Sequence, residues 1–228
     1  MKNYTVDVFA ICYNEEFMLP HFIKHYKENF NANITIYDNE STDKSMQIIM
    51  DSSCNYVSYN SNNQIRDDIY LQIKNECWKK SKADWVIVCD IDEFLEVPFD
   101  VRNYTIINTK GYDIVGGPES RAGAYNPMSS KHIMFRPDQF SQIGYQAGSH
   151  RCLPKLSAIG KLQGSKEHAT LLHRKYISED YLFARHSMYE KRLSDVNKQY
   201  GWGIHYNAPD REKIKQQFIE LRKKAKLI

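Results

Sequence analysis

The chain of 228 residues is long enough for one domain with a sizeable core, and its 42% hydrophobic and 13% aromatic residues exclude a disordered protein. The formal charge of +3 is unevenly distributed, because residues 1–110 carry 11 basic and 17 acidic side chains whereas residues 111–228 carry 20 and 11. An acidic half argues against a nucleic-acid-binding protein, which usually meets phosphates with positive charge alone. The sequence has no secretory apolar core and no apolar run near ~18 residues, so we expect a soluble, cytoplasmic protein.

Strand and helix patterns alternate through the first ninety or so residues. The predicted strands are residues 4–11, 34–37, 56–59 and 85–89. The predicted helices are residues 17–30, a segment that begins after the capping residue Ser41, and residues 67–82. Because this alternation is typical of βαβ units, we expect an α/β fold with a parallel sheet that is covered on both faces.

The second half has a less regular pattern. Short strand-like pieces, separated by Gly, Pro and Asn, are residues 105–108, 112–116, 132–135 and 143–146. Two helices are predicted, residues 179–197 after the cap Ser178 and residues 211–226 after Pro209 and Asp210. We therefore expect a mixed sheet with an irregular second half, and we find no linker that would separate two domains.

Two aspartates follow the most apolar predicted strand, in the string Trp85-Val-Ile-Val-Cys-Asp-Ile-Asp-Glu-Phe94. Residues i and i+2 of an extended chain point to the same side, so Asp90 and Asp92 can converge just past the carboxyl end of the strand. Ligands of open α/β sheets bind at that edge, and paired carboxylates suit Mg²⁺ or Mn²⁺. The alternative is a solvated, Asp-rich turn without a ligand.

Two other predicted strands end in polar clusters that should reach the same edge of the sheet. The first strand is followed by Tyr13, whose ring suits stacking on a base, and by Asn14 and Glu15. The second is followed by Asp38, which could accept a base N–H, and by Asn39, which could contact a ribose. Each of these residues also has an ordinary explanation in turn or cap chemistry.

Three successive segments carry a resemblance to a known family. The segments are Ala10-Ile-Cys-Tyr-Asn-Glu-Glu16, Ile36-Tyr-Asp-Asn-Glu-Ser-Thr-Asp43 and Asp84-Trp-Val-Ile-Val-Cys-Asp-Ile-Asp-Glu-Phe94. In order and spacing they resemble the motifs of GT-A glycosyltransferases of the family 2 type, and the Asp-Glu-Phe ending is similar to the family 92-like branch. The resemblance covers residues 4–97, and it implies a GT-A (Rossmann-like) fold.

The resemblance implies roles for the polar residues at the strand ends. Tyr13, Asn14 and Glu15 would surround the nucleoside and ribose of a nucleotide sugar. Asp38 would contact the base, and Arg66 would lie near the start of the following helix and contribute to the same site.

The resemblance also implies a metal site for Mn²⁺ or Mg²⁺. Asp90 and Asp92 become the metal and diphosphate motif, with Asp92 as the direct ligand. The segments Gly144–Arg151 and Leu171–Lys175 look like the histidine-containing segments of the family branch, in which a late histidine completes the metal shell. We therefore expect His150 and His173 to be metal ligands, while the ordinary alternative for each is a structural or surface histidine.

The implied reaction is attack by an acceptor hydroxyl on the sugar of a nucleoside diphosphate sugar, most simply a UDP-sugar, with inversion at the sugar carbon. Such a reaction needs a carboxylate base within reach of the acceptor. The pair Glu179-Asp180 resembles the family's base motif and makes Asp180 the first candidate, with Glu119 in reserve. The alternative for Asp180 is an acidic residue at a capped helix start, where it favours the helix dipole.

The resemblance gives one GT-A domain, residues 1–228, in three parts. Residues 1–97 form the nucleotide-sugar-binding half, residues 98–209 the acceptor-binding and metal-completing half, and residues 210–228 a basic amphipathic C-terminal helix. The acceptor would be a glycan, a lipid-linked acceptor or a protein. The C-terminal helix either contacts a membrane surface or docks on its own domain with a solvated basic face.

Two rival functions remain open at this stage. Phosphohydrolases of the haloacid dehalogenase type also use Asp-x-Asp after a buried strand, but Phe94 stands where that family has Thr or Val, and the motif here follows the fourth strand. A non-catalytic nucleotide-sugar-binding module would keep the fold without the chemistry.

Overall fold

The structure, a computed structural model, describes residues 4–228. The strands are β1 (Val6–Cys12), β2 (Asn33–Asp38), β3 (Asn55–Ser58), β4 (Trp85–Asp90), β5 (Glu93–Glu96), β6 (Thr109–Val115), β7 (Ala122–Tyr125), β8 (Met134–Phe135), β9 (Phe140–Gln142), β10 (Lys155–Leu156), β11 (Ala169–Tyr176) and β12 (Lys226–Leu227). The helices are α1 (Leu19–Phe30), α2 (Ser45–Asp51), α3 (Asp67–Glu76), α4 (Glu179–Arg192), α5 (Asp195–Tyr200) and α6 (Arg211–Lys224).

The first sheet has the strand order β3-β2-β1-β4-β8. Strands β1 to β4 run parallel, and β8 pairs antiparallel with β4 at one edge. Both faces of this sheet are covered, because Ile87 and Cys89 belong to the same apolar cluster as Phe22 of α1, while Val86 and Val88 pack with Trp78, just beyond α3. The predicted α/β fold with a parallel sheet between helices is therefore confirmed.

The second sheet is mixed and has the strand order β12-β7-β6-β11-β5. Strand β11 lies between β6, with which it pairs parallel, and β5, with which it pairs antiparallel. A two-residue turn, Ile91-Asp92, connects β4 of the first sheet directly to β5 of the second. The carboxylates of the sequence motif therefore lie where the two sheets meet.

Several elements differ from the sequence-based expectation. The segments 105–108 and 143–146 make only isolated bridges rather than strands, two through Ile106 and one through Tyr145. The predicted helix 179–197 is divided into α4 and α5, because Ser194 caps a new helix by accepting a hydrogen bond from the amide of Asn197. Strand β11 was not among the predicted strands, and it contains His173 in its interior and continues three residues beyond it.

The C-terminal helix α6 packs on the rest of the chain. Ile214 and Phe218 are buried and share an apolar cluster with Val115 and Leu182, so the apolar face of α6 is largely covered. Membrane contact through this helix stays a prediction that would rest on its basic side chains. Within residues 4–228, no helix is long and apolar enough to cross a membrane.

Candidate functional site

A cleft lies at the carboxyl ends of β1 and β4, where Ile11 pairs with Asp90. The chain proceeds from β1 to β2 on one side and returns to place β4 on the other, so this edge is the topological switch point at which open α/β sheets bind ligands. The cleft has a volume of about 440 Å³, within the range of small-molecule sites. Tyr13, Glu15, Asp92 and His173 all line it.

The pairing of β11 with β5 and β6 places His173 beside Asp92. His173 is in register with Glu93 of β5 on one side and with Asp113 of β6 on the other. Its Nε2 atom lies 3.6 Å from Asp92 Oδ2, and its Nδ1 atom lies 3.0 Å from Asp113 Oδ1. Burial lowers the pKa of His173, but the two carboxylates outweigh burial and raise that pKa to about 9.

Two lysines hold the Asp90 carboxylate. Lys74 Nζ lies 2.6 Å from Asp90 Oδ1, and Lys131 Nζ lies 3.2 Å from Asp90 Oδ2 and 2.6 Å from Glu93 Oε1. Burial raises the pKa of Asp90, but the two ammonium groups outweigh it and leave that pKa well below its ordinary value. Asp90 is therefore an ionised and well-partnered group.

Arg185 of α4 joins the acidic groups of two strand ends. Its Nη2 atom lies 2.9 Å from Glu15 Oε1 and 3.3 Å from Asp92 Oδ2. The guanidinium also donates to the hydroxyl groups of Tyr181 and Tyr189, one turn before and one turn after it on the helix. Burial raises the pKa of Glu15 to about 7, although Arg185 opposes this shift.

The polar residues after β1 have distinct environments. Tyr13 lines the cleft, its ring lies under the Arg192 guanidinium at 3.1 Å from the ring centroid, and its hydroxyl donates to Asn63. Asn14 adopts a left-handed backbone conformation (φ 51°), and its Oδ1 accepts the amide of Thr42 at 2.7 Å. Asn14 therefore braces the loop after β2 and does not itself line the cleft.

Asp38, Asn39 and Arg66 lie outside the cleft lining. The Asp38 carboxylate, which is buried, accepts hydrogen bonds from the amide and hydroxyl groups of Ser41. Asn39 is also buried and donates to Ser61 Oγ at 2.8 Å. Arg66 precedes α3, as expected, but its guanidinium pairs with Asp68 at 2.6 Å. The functional roles of these three residues stay predictions.

The two candidate bases are exposed. Asp180 lies in the first turn of α4, and its side chain is 86% exposed. Its Oδ1 atom lies 2.6 Å from Arg211 Nη1, at the start of α6. The Glu119 side chain is 90% exposed and lies 3.4 Å from His21. Neither residue lines the cleft. For either carboxylate to act as base, the acceptor would have to reach it at the surface, or its segment would have to move.

The predicted metal ligands come together only in part. His150 lines the same cleft as Asp92 and His173, and its Nδ1 lies 2.5 Å from the carbonyl oxygen of Met128. Within residues 4–228, however, no group of three or more His, Cys, Asp and Glu side chains is arranged to hold a metal ion. Among the predicted ligands, Asp92 and His173 form a close pair, with Oδ2 and Nε2 atoms that lie 3.6 Å apart.

An aromatic wall completes the cleft on the side of α4. It comprises Tyr189 and Tyr206, whose ring centroids are 4.8 Å apart, together with Trp202, His186 and His205. The segment 201–206 thus contributes to the cleft. Burial, with help from Lys175, lowers the pKa of His186 to about 4, so this imidazole is neutral at pH 7.

Three cationic residues of the site were missed by sequence reasoning. Lys74, Lys131 and Arg185 come from α3, from the loop before β8 and from α4. The one available signal was the i, i+4 spacing of Tyr181, Arg185 and Tyr189, which places three polar groups on one stripe of a helix. Neither lysine has a comparable signal in the sequence.

The chain matches no family model and no curated protein. Among solved structures it is similar to glucosyl-3-phosphoglycerate synthase from Mycobacterium tuberculosis in complex with Mn²⁺, UDP and phosphoglyceric acid, at 16% identity over 49% of this chain and 44% of that chain, with a TM-score of 0.35. It is also similar to TarS of S. aureus, at 12% identity over 96% of this chain and 43% of that chain, with a TM-score of 0.46. The chain thus spans less than half the length of either structure, and both likenesses are distant.

Proposed function

We propose that this protein is a metal-dependent glycosyltransferase that moves a sugar from a nucleoside diphosphate sugar, most simply a UDP-sugar, to an acceptor hydroxyl. The observation that carries the proposal is the convergence of Asp92, His173 and Arg185 at the switch point of the parallel sheet, next to Tyr13. A nucleotide sugar needs an anion-binding group, a flat surface for the base and a polar reaction centre. In our proposal Arg185 belongs to the anion-binding group, the Tyr13 ring is the flat surface, and Asp92 with His173 forms the polar reaction centre.

Asp92 and His173 supply two donor atoms of the kinds that Mn²⁺ or Mg²⁺ accepts. Asp92 and His173 would hold the ion, with the imidazole fixed by the hydrogen bond between its Nδ1 and Asp113. A carboxylate behind a ligating histidine is a common supporting arrangement in metal sites. Two side-chain ligands suit an ion that also takes phosphate oxygens and water. When bound, such an ion supplies Lewis-acid stabilisation of a leaving diphosphate.

The cations of the cleft support the same function. Arg185, Lys74 and Lys131 are each bound to carboxylates in this structure, and Lys175 also lines the cleft. In the proposed reaction they reduce the negative charge near a diphosphate and hold Asp90 and Asp92 in place. The aromatic wall of Tyr189, Tyr206 and Trp202 provides ring faces that pack against a sugar.

Asp180 remains our first proposal for the base that deprotonates the acceptor, and Glu119 the second. Inversion would follow from attack on the face of the sugar opposite the leaving diphosphate. Neutral His186 is a third candidate, because it lines the cleft and can accept a proton. The acceptor, whether a glycan, a lipid-linked acceptor or a protein, would approach from the side of these residues.

A thermal shift experiment with UDP and Mn²⁺ tests the donor site. A ligand at one hundred times its Kd stabilises the folded state by about 2.7 kcal/mol, so the melting temperature should rise in the presence of both components. Asp92→Ala should remove the metal-dependent part of this rise. No rise with any member of a panel of nucleoside diphosphates would refute the proposal.

A nucleotide-sugar-binding module without catalysis is the second candidate, and the exposure of Asp180 and Glu119 favours it. The two functions differ in one observable. An enzyme should hydrolyse its sugar nucleotide slowly in the presence of Mn²⁺ and without an acceptor, whereas a binding module should show the thermal shift and no hydrolysis.

A further inference from the structure

The segment 153–162 exposes several large apolar side chains to solvent. Fourteen large hydrophobic residues are exposed among residues 4–228, and four of them fall within the ten residues 153–162. They are Leu153, Leu156, Ile159 and Leu162, with exposed fractions of 65%, 45%, 76% and 61%. We call residues 153–162, which include the two-residue strand β10, the apolar loop.

The apolar loop is ordered by its backbone rather than by its apolar side chains. Its first residue donates an amide hydrogen bond to the carbonyl of Gly144. Ser157 N bonds to the carbonyl of Gln139, and Lys161 N bonds to the side-chain oxygen of the same glutamine. Because both ends of the turn 157–161 are hydrogen-bonded to Gln139, Ile159 lies at the centre of a fixed and exposed turn. The leucine and isoleucine side chains are therefore free to face a partner.

The surroundings of the apolar loop are basic. Residues 150–166 contain four Lys and Arg side chains and no Asp or Glu. A polar cleft of about 580 Å³ lies beside the loop, and its charged lining residues are all cationic, namely Arg102, Arg136, Lys161 and Lys166. Asp100 lies 2.6 Å from Arg102 and Asp138 lies 3.5 Å from Arg136. Glu167 follows Lys166 in the chain and accepts a hydrogen bond from the Tyr104 hydroxyl at 2.7 Å, but within residues 4–228 neither Lys161 nor Lys166 has a carboxylate oxygen within 4.0 Å of its ammonium group.

We propose that this surface binds the headgroup region of an anionic phospholipid membrane, with the apolar loop inserted into the acyl boundary and Lys161 and Lys166 facing lipid phosphates. Apolar side chains next to unpaired cations are the combination that interfacial binding requires. A soluble polyanion would use the lysines alone and would leave Ile159 and its neighbours in water. The proposal does not depend on sugar transfer, because the surface shares no lining residue with the cleft that contains Asp92.

Vesicle co-sedimentation tests the proposal on the full chain. We expect binding to vesicles of phosphatidylcholine with phosphatidylglycerol and little binding to phosphatidylcholine alone. Replacing the two lysines, as Lys161→Ala with Lys166→Ala, should weaken binding at least tenfold, since each basic residue near such a surface contributes about fivefold. Ile159→Ser should weaken binding by about tenfold, because it removes the apolar anchor.

Two control variants separate the loop from other surfaces. Met50→Ser removes a comparably exposed apolar side chain from α2 and should leave binding unchanged. Lys223→Ala with Lys224→Ala removes the same charge from α6 and should have a smaller effect than the loop variants. All of these side chains lie at the surface, so each variant should keep the wild-type melting temperature.

Several results would overturn the proposal. The first is a lack of binding to anionic vesicles, and the second is binding that Ile159→Ser leaves unchanged, which would indicate a soluble polyanion instead. A dimer in sedimentation velocity that dissociates on Ile159→Ser would make the loop a contact between two copies of the chain. The UDP-dependent thermal shift should persist in every loop variant, so a failure of this proposal is distinguishable from a failure of the proposed function.

Discussion

Lys74 reaches from α3 to the end of β4, where its ammonium group lies 2.6 Å from the Asp90 carboxylate. The same ammonium group donates to Ser149 Oγ at 3.1 Å, in the segment that carries His150. One lysine thus ties a helix, the carboxylate motif and a cleft loop together. Its side chain is 9% exposed whereas that of Asp90 is 38% exposed, so water screens part of this interaction.

Lys74→Met should lower the free energy of unfolding by about 1–2 kcal/mol. A fully buried pair would lose about 3–5 kcal/mol, but Asp90 keeps Lys131 and some water after the substitution. Urea denaturation of both proteins measures the difference. Lys79→Met, which removes the more exposed pair with Glu76, is the control and should change stability by less than about 0.5 kcal/mol. Equal effects of the two substitutions would contradict the linking role of Lys74.

Arg185→Gln should be among the most destabilising changes in the cleft. It leaves Glu15 and Asp92, both almost fully buried, without their shared cation, and such a loss costs about 3–5 kcal/mol. Adding Glu15→Gln should restore part of that stability, because one uncompensated charge is then removed. A double-mutant cycle followed by urea denaturation measures the coupling, and strict additivity would show that the two groups do not interact.

Asp113→Asn should weaken Mn²⁺ binding without removing a ligand. Loss of a carboxylate behind a ligating histidine typically lowers metal affinity 10- to 100-fold. His173→Gln should abolish the Mn²⁺-dependent thermal shift, since it removes a ligand. The two variants are compared by titrating Mn²⁺ at constant UDP. If His173→Gln retained the full shift, the metal would have to bind elsewhere.

His186 should make folding stability depend on pH. Its pKa is lowered to about 4 in the folded state, mainly by burial, and has an ordinary value of 6.5 in the unfolded state. Between these values the unfolded chain binds the extra proton, so stability should fall as the pH decreases from 6.5 to 4. His186→Gln should reduce this fall, and substitution of the exposed His168 should not. The free energy of unfolding of the wild type and of each variant is measured at half-unit pH intervals. The same dependence on pH in the wild type and in His186→Gln would contradict this prediction.

Asp180→Asn should reduce sugar transfer by a factor of about 10² to 10⁴ while leaving the UDP-dependent thermal shift intact, because a general base acts on the acceptor and not on the donor. Glu119→Gln is the matched variant. Both side chains are exposed, so neither change should affect folding. If transfer survives both substitutions, His186→Gln is the next variant to measure.

Much of the site could be predicted because strand ends obey simple geometry. Asp90, Asp92 and Tyr13 follow apolar strands, and parallel pairing brings such ends to one edge whatever the loops do. The uneven charge of the two halves also acquired a physical meaning. Lys131 and Arg185 of the basic half bind carboxylates of the acidic half.

The rest of the site depends on contacts that no local pattern encodes. Lys74 and Lys131 are separated by 57 positions along the chain, and only the packing of α3 and the loop before β8 places both beside Asp90. The sequence also does not show that Ser41 and Ser61 form hydrogen bonds with Asp38 and Asn39, whose roles in ligand binding stay predictions.

The register of β11 with β5 and β6 determines which side chain of β11 faces the cleft. Side chains alternate between the two faces of a strand, and Leu172 belongs to the apolar core while Arg174 lies over the ring of Phe94. A slip of one residue against β5 and β6 would exchange His173 for one of these neighbours. Because the adjacent residues Leu171 and Leu172 are both fully buried, such a slip would also disrupt the core, so the packing that fixes the register of β11 also keeps His173 beside Asp92.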